Sequence, residues 1–131
     1  MTDSLTGVWD GTYTHRRGIV TFLATLIESG SALGGNVTEP CTNPACPLST
    51  HNASIAGSRS GSTVSFVKRY EPPGYGYDTV FYEGVVNTEA TEIEGRWKLP
   101  GIPLSGTFLM VRSTKTAQSV ASDERIKEPT R

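Results

Sequence analysis

From Glu92 to Leu99 hydrophobic and polar residues alternate without a break. Ile93, Gly95, Trp97 and Leu99 fall on one side, and Glu92, Glu94, Arg96 and Lys98 on the other. A period of two is the signature of a strand with one face buried and one in water. The same criterion predicts eight strands, at residues 8–15, 19–28, 32–39, 53–59, 63–70, 77–87, 92–99 and 103–112. Between them lie segments with turn chemistry, such as Ser29-Gly30-Ser31, Ser60-Gly61-Ser62, Glu71-Pro72-Pro73-Gly74 and Pro100-Gly101-Ile102. No gap is long enough for a crossover helix, so the strands should pair in sequence and antiparallel. The fold class expected is all-β: an eight-stranded antiparallel up-and-down meander closed into a barrel, which leaves no exposed edges.

Glycine indicates which way each strand faces. Gly11, Gly35, Gly57, Gly84, Gly95 and Gly106 each sit inside a predicted strand. A small barrel needs positions where strands bend or approach closely, so these glycines should mark the inner face. That parity sends inward Trp9, Tyr13 and His15; Leu33 and Val37; Ile55; Val80, Tyr82 and Val86; and Leu104, Phe108, Met110 and Arg112. The second and fifth strands lack a central glycine. Hydrophobicity alone orients them, with Val20, Phe22, Ala24 and Leu26, and Val64, Phe66, Lys68 and Tyr70, inside.

Composition agrees with the pattern. The 131 residues include 14 Gly, 8 Pro and 30 Ser or Thr, types that suit strands and turns better than helices. One barrel domain at residues 1–113 is expected, followed by a charged, aromatic-free, flexible tail at 114–131 in which only a short helix near 118–127 suggests itself. A net charge of −1 exerts no bulk pull on nucleic acid or anionic membranes. Arg16-Arg17 and Lys68-Arg69 are the only local basic spots. The most apolar stretch, 19–27, is too short to span a membrane and is broken by Thr21 and Thr25. The start shows no signal-peptide pattern, so a cytoplasmic location is expected. Two N-x-[ST] sequons, at Asn36 and Asn52, then have no secretory context.

Cys41 and Cys46 flank Thr-Asn-Pro-Ala. Three readings stand open: a local disulfide, a pair of reduced thiols in a proline-rich loop, or a partial zinc set with His51 that lacks a fourth ligand. Neither a metal nor a cofactor is expected.

In a meander the turns alternate between two ends, and these ends differ. One has short connections and apolar inward residues (Leu26, Leu33, Val64, Val86 and Ile93), together with Trp9 and Arg112. A guanidinium stacked on the indole would close it as a structural floor. The other end receives the longer loops and the polar residues Tyr13, His15, Glu39, Lys68, Tyr70 and Asp78. An apolar floor, aromatic walls and convergent polar groups at a mouth describe a small-molecule site. Each element also has a plainer reading: tyrosines filling the core, Lys68 snorkelling outward, His15 exposed beside a turn, or Lys68 paired with Glu39 or Asp78 for structure alone.

Gly7-Val8-Trp9 near the start, followed by eight strands and a final Arg112, resembles the calycin superfamily of lipocalins, fatty-acid-binding proteins and avidins. Leu5-Thr6-Gly7-Val8-Trp9, Leu33-Gly34-Gly35, Thr79-Val80-Phe81-Tyr82-Glu83-Gly84 and Ile93-Glu94-Gly95-Arg96-Trp97-Lys98-Leu99 resemble avidin strands in order. The resemblance covers about residues 5–112 and implies an avidin- or lipocalin-like barrel. It does not carry biotin binding with it. Gly11, Val37, Phe66 and Gly106 stand where avidins place biotin-contacting side chains, and of the second half of their aromatic box only Trp97 is present.

The function expected is therefore non-catalytic binding of a small, partly apolar molecule with a polar or anionic group. Phe22, Phe66, Tyr82 and Trp97 would form the walls. Tyr13, His15, Lys68, Tyr70 and Asp78 would orient the polar group. An alternative is an interaction module acting as a homo-oligomer, suggested by Ile19, Leu23 and Ile27 on the outer face of the second strand. A third is an isomerase or hydrolase using His15 with Glu39 or Asp78, although the chain has no nucleophile elbow, phosphate loop or metal-spaced histidines.

Overall fold

The computed structural model describes residues 3–15, 18–40, 50–71 and 79–113. The chain forms β1 (Gly7–His15), β2 (Gly18–Ser29), β3 (Ala32–Pro40), β4 (Thr50–Ser60), β5 (Thr63–Glu71), β6 (Thr79–Val86), β7 (Glu92–Leu99) and β8 (Ile102–Arg112). Each strand pairs antiparallel with the next, and β8 returns to β1, so the sheet is a closed eight-stranded meander barrel. The seam is in register at Trp9↔Arg112, Gly11↔Met110 and Tyr13↔Phe108. Cys41, Cys46, Asp78, the Arg16-Arg17 pair and the tail at 114–131 lie outside the described residues, as does the side chain of His15. Among the described residues no helix is long and apolar enough to cross a membrane.

The glycine-derived parity holds in every strand. Trp9, Phe22, Leu33, Ile55, Phe66, Tyr82, Trp97 and Phe108 all lie in one buried core. The two strands oriented by hydrophobicity alone, β2 and β5, obey it as well, with Val20, Ala24, Leu26 and Val64 buried.

Several boundaries differ from expectation, each for a local reason. β4 starts at Thr50 rather than Ala53, because pairing with β3 continues through Glu39↔His51 and Pro40↔Thr50. β6 ends at Val86 rather than Asn87. There the Asn87 side chain turns the backbone, its Oδ1 accepting from Thr91 N at 2.8 Å and Glu92 N at 2.9 Å. β8 starts at Ile102, one residue early, beside an irregularity at Lys98/Leu99.

Gly11 and Gly106 are gaps that rings from neighbouring strands fill. A Cβ on Gly11 would lie 2.1 Å from the Phe22 ring, and one on Gly106 would lie 2.5 Å from the Trp97 indole nitrogen. Gly84 and Gly95 face each other across β6 and β7. There the constraint is backbone, since a Cβ on Gly95 would lie 2.0 Å from Glu83 O.

The short-loop end is sealed as expected. The Arg112 guanidinium sits 4.6 Å from the centre of the Trp9 ring. It donates to Ser4 O at 2.6 Å, Thr6 O at 3.0 Å and Ala90 O at 3.0 Å. Trp9 Nε1 donates to Leu5 O at 2.9 Å, which draws the fully buried Leu5 beneath the indole. This floor also holds a polar element that the sequence reading passed over. Arg59 pairs with Glu28 at 3.0 Å and donates to Asp3 O at 2.8 Å. Glu28 accepts the Leu5 amide at 2.8 Å. The segment before β1 is thus tied across the barrel's bottom by two arginines.

Candidate functional site

At the opposite end β1, β3, β4 and β5 bring their last or first inward positions together. Period-two alternation carries Tyr13, Glu39, His51, Lys68 and Tyr70 into the interior from these four strands. Lys68 is 2 % exposed and Glu39 4 % exposed, and their Nζ and Oε1 are 2.8 Å apart. Of the two carboxylates open to Lys68 in the sequence, Glu39 is the partner; Asp78 lies outside the described residues.

Two phenols complete the carboxylate's shell. Tyr13 donates to Glu39 Oε2 at 2.5 Å, and Tyr70 lies 3.2 Å from both carboxylate oxygens. His51 packs edge-on against Tyr70, with ring centres 5.4 Å apart. The ammonium has an aromatic surround as well. Lys68 Nζ is 4.7 Å from the Tyr13 ring centre, 4.8 Å from Tyr70, 5.3 Å from Tyr82 and 5.8 Å from Phe22. Negative ring faces and a carboxylate are what an ammonium needs in place of water. Among the described residues, no buried side-chain nitrogen or oxygen lacks a hydrogen-bond partner.

These surroundings fix protonation states. Burial pushes the Tyr13 and Tyr70 phenols well above their ordinary value, and the Glu39 carboxylate pushes them further. Burial raises Tyr82 too, opposed in part by Lys68. For Lys68 burial acts downward, but Tyr82 and Glu39 outweigh it and hold the ammonium above its usual value. At neutral pH Lys68 is therefore an ammonium and the phenols of Tyr13, Tyr70 and Tyr82 are neutral.

Below the cluster the aromatic rings pack on one another. Phe66 and Tyr82 stack with centres 5.0 Å apart, and Phe108 meets both edge-on at 6.1 and 5.0 Å. Tyr13 contacts Phe22 at 6.1 Å and the edge of Trp97 at 6.2 Å. Trp97 passes over Gly106 and donates its indole N–H to Thr14 O at 3.0 Å, linking β7 to β1 across β8. Phe22, Phe66, Tyr82 and Trp97 thus share one interior with Tyr13, Lys68 and Tyr70. His15 is placed only as the last residue of β1, paired with Gly18.

His51 is the inward residue that the sequence reading missed at this end. Its signal was present: carrying the Gly57, Ile55, Ala53 parity back one more step reaches it. Starting the strand at Ala53 hid it. Among the described residues no group of three or more His, Cys, Asp or Glu could hold a metal ion.

Compared with protein-family models and with curated protein sequences, the chain matches none.

Proposed function

We propose that this avidin- or lipocalin-like barrel is a non-catalytic binding protein. Its ligand is a small, partly apolar molecule held at the long-loop end, with a polar group meeting the Tyr13–Glu39–Lys68–Tyr70 cluster. One observation carries the reading: a buried ion pair with two phenols, set at the long-loop end of a mostly apolar core. An apolar filling of similar volume would hold such a barrel together as well or better, so stability alone does not call for these residues.

The pairing refines the ligand. Glu39 already neutralises Lys68, so an added carboxylate would meet the Glu39 charge along with the ammonium. An uncharged hydrogen-bonding group, an alcohol or an amide, avoids that repulsion while its hydrocarbon part packs on the rings. The protonation states speak for binding rather than catalysis. The phenols are poor acids and the lysine is held charged, neither of which suits a proton shuttle or a nucleophile near neutral pH.

Trp97 provides the test, because it touches Tyr13. A panel of cyclic alcohols, amides, carboxylates and amines is titrated while tryptophan fluorescence is followed. Neutral members should shift the signal, Trp97→Phe should abolish the response, and Tyr70→Phe should weaken binding by about tenfold, the loss of one hydrogen bond. No response from any class, or a response indifferent to Tyr70→Phe, would overturn the proposal.

A further inference from the structure

We propose that the long-loop half of the β1–β8 seam is a side gate into the aromatic interior, latched by Thr14 and Trp97. Backbone pairing between these strands runs from Trp9↔Arg112 to Tyr13↔Phe108. Beyond that point β1 continues to His15 and β8 reaches back to Ile102, yet no further pair forms among the described residues. Side chains stand where the next pair, Thr14 with Thr107, would fall. Thr107 N donates to Thr14 Oγ1 at 2.8 Å, and Thr14 O accepts the Trp97 indole N–H at 3.0 Å. The indole comes from β7, so it reaches past β8 to make this bond. Gly106 makes room for it: a Cβ there would lie 2.5 Å from both Thr14 Oγ1 and Trp97 Nε1.

The same end of β8 is loosely held on its other side. Its register with β7 shifts at Lys98/Leu99. Pro103 has no N–H to give to either neighbour, and proline within a sheet belongs to edge strands. Residues 102–107 therefore form an edge inside a closed barrel, tied to β1 by the Thr14 side chain and one indole.

The entry role of this gate rests on the binding function proposed above. A molecule arriving past the cluster must part the buried Lys68–Glu39 pair and its phenols. One arriving through the seam breaks only hydrogen bonds between uncharged groups, which are weaker than bonds to charged ones. Trp97 packs edge-on against Tyr13, so an indole swung outward uncovers the ring beside the cluster.

Hydrogen exchange on the ligand-free protein tests whether the seam opens, whatever the ligand. The Trp97 indole and Thr107 amide protons should exchange together, at least about 100-fold faster than the indole proton of Trp9, which is bonded to Leu5 O in the sealed floor. Urea below the unfolding transition, and Arg112→Ala, should speed the Trp9 proton and leave the other two unchanged, because a local opening keeps the floor intact. Thr14→Val should speed the Trp97 and Thr107 protons by about tenfold, the loss of one hydrogen bond. Entry is read with cyclohexanol by stopped-flow tryptophan fluorescence: Thr14→Val should raise the association and dissociation rates alike by about tenfold, with Kd unchanged. Trp97 and Thr107 protons that follow Trp9 through the urea series, or that respond separately, would overturn the gate, and the unaltered chain decides this even if a variant misfolds. Faster exchange in Thr14→Val without faster association would overturn the entry role. If cyclohexanol does not bind, the entry role falls with the binding function, while exchange still decides whether the seam opens.

Discussion

Lys68 and Glu39 are 29 residues apart in the chain, yet Nζ and Oε1 meet at 2.8 Å inside the barrel. Each makes the other's burial tolerable. Lys68→Met should leave a buried carboxylate and Glu39→Gln a buried ammonium, and either is expected to cost about 3–5 kcal/mol. The double variant Lys68→Met/Glu39→Leu removes both charges and should recover most of that loss. Urea unfolding of the four proteins checks this. A loss in the double variant equal to the sum of the two single losses would show that the pair is not coupled.

The two phenols should not be equivalent. Tyr13 makes one 2.5 Å bond to Glu39 Oε2, whereas Tyr70 is shared between both oxygens at 3.2 Å. Tyr13→Phe is therefore expected to cost about 1.5–3 kcal/mol, the range for a bond to a charged acceptor, and Tyr70→Phe less. Denaturation midpoints at constant m-value report the order.

Alkaline pH should unfold the barrel through the same residues. Tyr13, Tyr70 and Tyr82 have folded pKa values raised above the ordinary 10.0, and Lys68 is raised above 10.5. Above those ordinary values the unfolded chain loses protons that the folded chain retains. Their contribution to stability is thus fully present below about pH 10 and is lost as pH rises toward the folded values. Tyrosinate absorbance from these three rings should appear together with loss of circular dichroism. A smooth, non-cooperative titration in the native state would contradict the burial-driven shift.

The inward glycines make a graded prediction. In Gly95→Ala the new methyl meets Glu83 O at 2.0 Å, a backbone atom that cannot move without breaking the ladder. In Gly11→Ala it meets the Phe22 ring at 2.1 Å. Overpacking of this kind costs about 1–3 kcal/mol or more. Adding Phe22→Leu should relieve Gly11→Ala in part, and no side-chain trimming should relieve Gly95→Ala. Thermal melts of the variants distinguish the two cases.

At the floor, Arg112 holds three carbonyls and covers Trp9. Arg112→Lys keeps the charge but loses the fork, so it should recover little of the roughly 2–4 kcal/mol expected to be lost in Arg112→Ala. Chemical denaturation measures both. Near-complete rescue by lysine would reduce Arg112 to a point charge.

Local pattern was enough to determine the strands and their inward faces. Period-two alternation from Glu92 to Leu99, turn residues such as Gly30 and Gly61, and glycines at inner positions are short-range signals, and a meander connects only neighbours. The Trp9–Arg112 floor was legible for the same reason, since chain direction alone places both at one end. Partnership inside the barrel was decided by closure. Parity placed Lys68, Glu39 and Asp78 at the same end but could not choose between the carboxylates. That choice depends on stagger between strands that are not neighbours, as does the convergence of four rings on one ammonium. The Arg59–Glu28 pair escaped notice because both residues look like ordinary charges at strand ends. Only the fold of residues 3–6 across the floor buries them.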